Sequence, residues 1–158
     1  MSTRFTQRGT PLVESQSLQL IQSTSQVNNI ITKYISKRLV EKGYTSLTPS
    51  LLSFLSILEC GVNYGAEIAR NLGVTRQMVA KTVKELCKLQ YLEQRDGIGK
   101  QKEIVFTETG EYLMADARLL LSDIDEVLNQ HLGDEGAEKM IAKITAISDT
   151  IDDRLNAK

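Results

Sequence analysis

At 158 residues, 41% of them hydrophobic and 25% charged, the chain has the size and apolar content of one small domain with helical extensions. It has no run of about 18 apolar residues to span a membrane, and the polar start Met1–Arg8 is not followed by the apolar stretch of a secretory signal, so cytoplasmic residence is expected. One histidine, His131, and two separated cysteines, Cys60 and Cys87, leave no disulfide framework, zinc site or catalytic triad, so neither a cofactor nor an enzymatic activity is expected.

Residues 1–10 are polar and read as a flexible N-terminus. From Pro11 onward Leu20, Val27, Ile31 and Tyr34, with Ile21, Ile30, Ile35 and Leu39 beside them, recur at three- and four-residue steps. That spacing predicts a long amphipathic helix, with Gly43 as its stop. Thr48-Pro49 opens a second helix: the threonine caps free amides, and the proline sits where its missing N–H costs nothing. Leu47 and Leu52 are placed for a hydrophobic staple, and Gly61 and Asn63 end this helix near Glu59.

A short helix follows from Tyr64 to about Asn71, with Ile68 and Ala69 inward. Leu72-Gly73-Val74 forms a turn, and Thr75 caps a helix to about Gln90 whose inner face is Val79, Val83, Leu86 and either Leu89 or Gln90. Two helices joined by a three-residue turn with a glycine make a helix-turn-helix. Tyr91–Arg95 and Glu103–Phe106 read as strands with Leu92, Ile104 and Phe106 on one face, joined by the turn Asp96-Gly97-Ile98-Gly99. Thr107 caps a long helix through Leu113, Leu120, Ile124 and Leu128 to about Leu132. Gly133 interrupts it, Asp134 recaps, and Met140, Ile144, Ile147, Ile151 and Leu155 stripe a last helix.

The predicted fold class is therefore mainly α. A winged helix-turn-helix at 47–107 carries a two-stranded β wing, and helical segments at 11–43 and 108–158 frame it. The apolar stripes of those framing helices exceed what one small winged helix can bury, so they are expected to be dimerisation helices of a homodimer.

Net charge is −1, but its distribution is uneven. Arg70–Lys102 holds eight basic and three acidic residues, whereas residues 103–158 hold five basic and thirteen acidic ones. A local basic stretch with acidic flanks can bind phosphates while the total stays near neutral. On the second helix of the pair, Thr75, Arg76 and Gln77 occupy the first turn, and Lys81 and Lys84 lie opposite Val79 and Val83. Arg76 can pair with guanine and Gln77 with adenine, each for about 1–3 kcal/mol of discrimination. Thr75, Lys81 and Lys84 are expected to hold the backbone of double-stranded DNA, and Arg95, Lys100 and Lys102 to sit beside the minor groove. The same surface also fits a winged helix that contacts an acidic protein without specific DNA binding.

The order of elements resembles that of the MarR (multiple antibiotic resistance regulator) family. Ala66-Glu67-Ile68-Ala69-Arg70-Asn71-Leu72-Gly73-Val74-Thr75 is similar to that family's helix-turn-helix, Met78–Leu86 to its recognition helix, and Phe106-Thr107-Glu108-Thr109-Gly110-Glu111 to the L-T-x-x-G run after its wing. The resemblance covers roughly residues 15–157. It implies a homodimeric transcription regulator, a ligand-responsive repressor on a palindromic operator. It also implies a crevice for a small aromatic or anionic effector, with Tyr34 a candidate lining residue. The chain departs from the family at the wing, where Lys100 and Lys102 stand in place of paired arginines, and it lacks the first-helix cysteine of the peroxide-sensing branch. Cys60 and Cys87 read as small hydrophobes, His131 as a helix-end residue, and Glu108, Glu111, Asp123, Asp125 and Glu126 as a solvated face rather than a metal site.

Overall fold

The computed structural model describes residues 15–45 and 47–156. The expected flexible segment 1–10 and the helix start at Pro11 lie outside the described residues. In sequence order come α1 (Gln16–Glu41), α2 (Pro49–Glu59), α3 (Gly65–Leu72), α4 (Arg76–Lys88), β1 (Leu92–Asp96), β2 (Lys102–Phe106), α5 (Glu108–Leu132) and α6 (Gly136–Asn156).

Four helices start on a hydroxyl. Ser15 accepts from the Leu18 amide (3.0 Å), Thr48 from Leu51 (3.3 Å), Thr75 from Met78 (3.2 Å) and Thr107 from Gly110 (3.1 Å). Each such cap contributes about 1 kcal/mol and fixes where its helix begins. Pro49 stands at the start of α2, as its fixed φ favours. Between α3 and α4, Gly73 takes φ 64° and ψ 31°, the left-handed turn that glycine adopts without a steric penalty.

The largest fully buried side chains are Leu39, Leu55, Ile68, Leu86, Leu92, Ile104 and Leu113, one from each element except α6. The segment from α2 to β2 and the ends of α1 and α5 therefore share one core. The expected inner faces hold: Ile68 and Ala69 of α3 are buried, as are Val79, Val83 and Leu86 of α4. Beyond them Leu89 is half-buried and Gln90 exposed, so Leu89 continues the inner face. Helix α4 ends two residues earlier than its periodicity suggested. Gln90 takes φ 65°, its amide donates to Cys87 O and the Tyr91 amide donates to Leu86 O, both at 3.0 Å. This is a left-handed helix stop without a glycine.

Strands β1 and β2 pair antiparallel, with Leu92 opposite Phe106 and Gln94 opposite Ile104. The α2–α3 loop adds a further rung. The Ile104 amide donates to Asn63 O (2.8 Å), Asn63 Nδ2 donates to Ile104 O (3.1 Å), and Tyr64 bridges to Glu103. The start of α5 is docked on the exit from α4. Thr107 donates its hydroxyl to Gln90 O and its amide to Tyr91 O (3.1 Å). The Tyr91 hydroxyl in turn accepts from the Thr45 amide (3.0 Å) and donates to Thr45 O (3.1 Å).

Helix α5 is also tied to α1 and α2. Lys42 Nζ (2.8 Å) and the Tyr44 hydroxyl (2.7 Å) converge on Asp116, and Arg118 pairs with Glu59. Hydrogen bonds from Lys42 and Tyr44 hold the Asp116 carboxyl below the usual carboxylate range. Burial, then Asp116 itself, pushes the Tyr44 phenol up to about 12. Helix α6 starts at Gly136 rather than after a cap at Asp134. Gly133 (φ 80°) accepts from the Gly136 amide at 2.9 Å, and that turn uses up the residues between.

Gly110 faces the Tyr91 carbonyl so closely that a Cβ there would collide with its oxygen and come within 3.1 Å of Phe106 Cδ1. Both neighbours belong to fixed structure, so neither yields easily. Gly110→Ala is expected to destabilise the fold by about 3 kcal/mol, read as a lowered urea midpoint at unchanged m-value; an unaltered midpoint would show that α5 is not clamped there.

Candidate nucleic-acid interface

Successive residues of a helix diverge by about 100°. With Val79, Val83 and Leu86 turned into the core, Gln77, Lys81, Lys84 and Lys88 point the opposite way, and all four are exposed. This places Gln77, Lys81 and Lys84 where the sequence put them and adds Lys88, which periodicity assigned to the basic stretch without a role. Thr75 is exposed at the helix start with its Oγ engaged as the cap.

Arg76 lies elsewhere. It is exposed but turned toward the wing, lining a cleft of about 300 Å³ with Tyr64, Gln94, Gln101 and Lys102 over a floor that includes Val79 and Val83. On the opposite flank of α4, Met78, Thr82 and Glu85 line a second cleft with Phe54 and Leu72.

The wing tip is held from below. A Cβ on Gly97 would lie 2.8 Å from Tyr64 Cε1 and 3.0 Å from Gln101 O, so only a glycine lets the turn rest on the tyrosine ring. The Tyr64 hydroxyl accepts from the Ile98 amide (3.4 Å), the Gly97 amide donates to Gln101 O (3.0 Å) and the Gln101 amide to Ile98 O (3.2 Å). At the tip stand Ile98, 79% exposed, and Lys100. Two of the expected wing cations are already partnered: Arg95 pairs with Glu93, and Lys102 with Asp96. The hydrogen bond from Lys102 holds the Asp96 carboxyl below its ordinary range. Such exposed pairs are weak and exchange readily with other anions.

The remaining candidates lie off the outward face of α4. Tyr34 is half-buried between α1 and α5 in a groove of about 330 Å³ with Ile30, Ile31, Ile124, Val127 and Asp123. The Arg38 guanidinium lies 5.5 Å from the Tyr34 ring centre. Cys87 is half-buried, and burial followed by the nearby Glu93 pushes its thiol up, which disfavours the reactive thiolate. Cys60 and His131 are exposed. Among the described residues no three His, Cys, Asp or Glu side chains gather as a metal site, and no helix is long and apolar enough to cross a membrane.

No protein-family model matches the sequence, and no curated protein matches it either. Solved structures do match the fold. A MarR transcriptional regulator from Methanosarcina mazei Go1 superposes with a TM-score of 0.71 at 15% identity, over 86% of this chain and 96% of that one. A MarR family regulator from Neisseria meningitidis gives 0.68 at 18% identity, over 91% and 99%. The chain has the MarR fold. MepR from Staphylococcus aureus, in a complex with DNA, also shares it, with a TM-score of 0.66 at 16% identity over 88% of this chain and 99% of MepR. The likeness spans both the α3–α4–wing lobe and the long helices around it, so the MarR arrangement is present as a whole rather than as an isolated helix-turn-helix.

Gly97→Ala is expected to lift the tip of this wing off Tyr64 at a cost of about 1 kcal/mol, the low end for an overpacked site that can relax. Nuclear Overhauser contacts between the Tyr64 ring and residue 97 should disappear while those across Leu92 and Phe106 persist. Retention of the ring contacts would show that the wing does not depend on the missing side chain.

Proposed function

We propose that this chain is a sequence-specific, DNA-binding transcription regulator that acts as a homodimer, with α4 in the major groove and the β1–β2 wing at the adjacent minor groove. The observation that carries this reading is the outward face of α4, where Gln77, Lys81, Lys84 and Lys88 stand together on a helix whose other side is locked into the core. A protruding helix with one amide among three cations suits a groove that is lined by phosphates and floored by base edges. The MarR fold shared with MepR, whose structure includes DNA, supports the same reading. In it Gln77 reads a base, Thr75, Lys81 and Lys84 hold the backbone, and Lys100 with Arg95 and Lys102 serves the wing. Residues 47–107 then form the DNA-binding domain, and 11–43 with 108–158 the dimerisation region.

Support for the homodimer comes from what one chain leaves uncovered. Met140, Ile141, Ile144, Ile147, Ile151 and Leu155 of α6 are 40–70% exposed, and Leu18, Ile21, Val27 and Ile30 of α1 are 49–64% exposed. Apolar area of this extent on two helices that each pack against α5 calls for a partner surface. A two-fold pair presents two recognition helices about 34 Å apart, which makes the operator palindromic. Repression released by a small effector completes the proposal. The Tyr34 groove suits an aromatic molecule, whereas an anionic one would meet the Asp123 carboxylate.

Selection of preferred sequences from random duplexes should return a palindrome, with binding that falls steeply as salt rises. On that site Gln77→Ala should lose about 1–3 kcal/mol of discrimination at one base pair per half-site. The double variant Lys100→Ala/Lys102→Ala should weaken all sequences alike. If no duplex is bound at low ionic strength, the regulator reading falls and a protein-contact role takes its place. Separately, Ile144→Glu should convert the particle to monomer mass in light scattering; an unchanged dimer would remove α6 from the interface.

A further inference from the structure

A recognition helix in the major groove and a wing in the neighbouring minor groove must straddle the sugar–phosphate strand that separates those grooves. The cleft between α4 and the wing is the space left for that strand. We infer that it seats one phosphodiester per half-site and that Arg76 is the cation that pairs with it. This rests on the DNA-binding reading above and assigns a role within it.

Three observations converge on the cleft. The first is direction. Gln77 shares the outward face with Lys81 and Lys84, and Arg76, one residue earlier, is rotated about 100° from it toward the wing. When Gln77 faces the floor of the groove, Arg76 faces its wall, so the two side chains are not a matched pair of base readers.

The second is the chemistry of the walls. The polar lining groups are the Arg76 guanidinium, the Gln94 and Gln101 amides, the Lys102 ammonium and the Tyr64 hydroxyl, and no carboxylate lines the cleft. Every one of these groups can donate a hydrogen bond, and the glutamines can turn their N–H₂ toward an anion. Lys102 is partnered by Asp96. Arg76 enters none of the ion pairs formed among the described residues. Its charge is thus the uncompensated one, and its planar fork matches two phosphate oxygens.

The third is rigidity. The wing wall is fixed to the α3 side by Tyr64, through ring contact at Gly97 and a hydrogen bond from the Ile98 amide, while the Arg76 wall belongs to a helix anchored in the core. A cleft with two fixed walls holds a phosphate at one place along the strand. That sets the register in which Gln77 meets its base. Arg76 acts on specificity by positioning, and Gln94 and Gln101 join it from a strand and a turn that residue patterns alone did not mark.

The test uses the full-length protein, its selected duplex, and a series of duplexes each carrying one neutral methylphosphonate. For the wild type, one phosphate per half-site should stand out, its neutralisation weakening binding about tenfold, as for a charge-assisted hydrogen bond. For Arg76→Gln that position should cost nothing further, and the salt slope should fall by about 0.9 per half-site. Arg76→Lys, which keeps a point charge, should recover part of the affinity and leave every base preference intact. The inference is overturned if Arg76→Gln relaxes the preference at one base pair while keeping full sensitivity to the methylphosphonate, because Arg76 then reads a base. It is overturned as well if no single phosphate couples to Arg76 although the duplex is bound with the expected preference. Absence of any duplex binding by the wild type removes the regulator reading itself, a result distinct from both.

Discussion

The junction between α4 and β1 is the point to which the rest of the molecule is referred. Within two residues the chain leaves a helix through a left-handed glutamine, Gln90, and presents two carbonyls to the start of α5. Thr107 takes both of them, one with its hydroxyl and one with its amide, and Gly110 allows the helix to approach without a side chain between. Because Leu92 also pairs with Phe106, this contact closes the base of the hairpin and fixes the direction of the wing. Tyr91, its ring buried and its hydroxyl bonded to both the N–H and the C=O of Thr45, draws the α1–α2 loop to the same place. These bonds join α4, β1, α5 and the α1–α2 loop at one place, so the loss of any one of them loosens the contacts beside it.

From this junction two unlike surfaces extend. One is polar and cationic: the outer side of α4, the cleft beside it and the wing tip. The other is apolar and set among carboxylates, on the far parts of α5 and α6, where residues 103–158 carry thirteen acidic side chains against five basic ones. A polyanion approaching the second surface is repelled and one approaching the first is drawn in, so the near-zero net charge conceals a strongly oriented molecule. The Asp116 carboxylate is stabilised by the neighbouring Lys42 ammonium and Tyr44 phenol.

Much of the fold was legible because its punctuation is local chemistry. Thr48-Pro49, Thr75 and Thr107 announce helix starts through hydroxyls that need only the next turn of their own helix, and Gly73 announces a turn through its lack of a Cβ. The helix end at Lys88 was not legible, since a glutamine in the left-handed region carries no residue-type signal. Nor was the rung that Asn63 and Tyr64 add to β2, which depends on a partner about forty residues away in sequence. Gly97 was readable as a turn residue, but its close fit to Tyr64 arises only from tertiary approach. At the interface, composition indicated which side chains are basic, while the division between Arg76 in the cleft and Gln77 on the outer face follows from the azimuth of a helix already docked on its core. Lys88 was overlooked because it sits at a helix end whose position the sequence left open.

One further property follows from α5 being unbroken for 25 residues. At 1.5 Å per residue it is a rod of about 37 Å, clamped to the α4–β1 junction at its first turn and packed against α6 farther along. A rotation of about 5° at the clamped end carries the other about 3 Å, close to the spacing of stacked bases. In the homodimer proposed above both rods would turn together, and a small repacking at their first turns would alter the span between the two α4 helices by about twice the displacement of one. The stiffness of one helix thus amplifies a local repacking into a displacement at its far end.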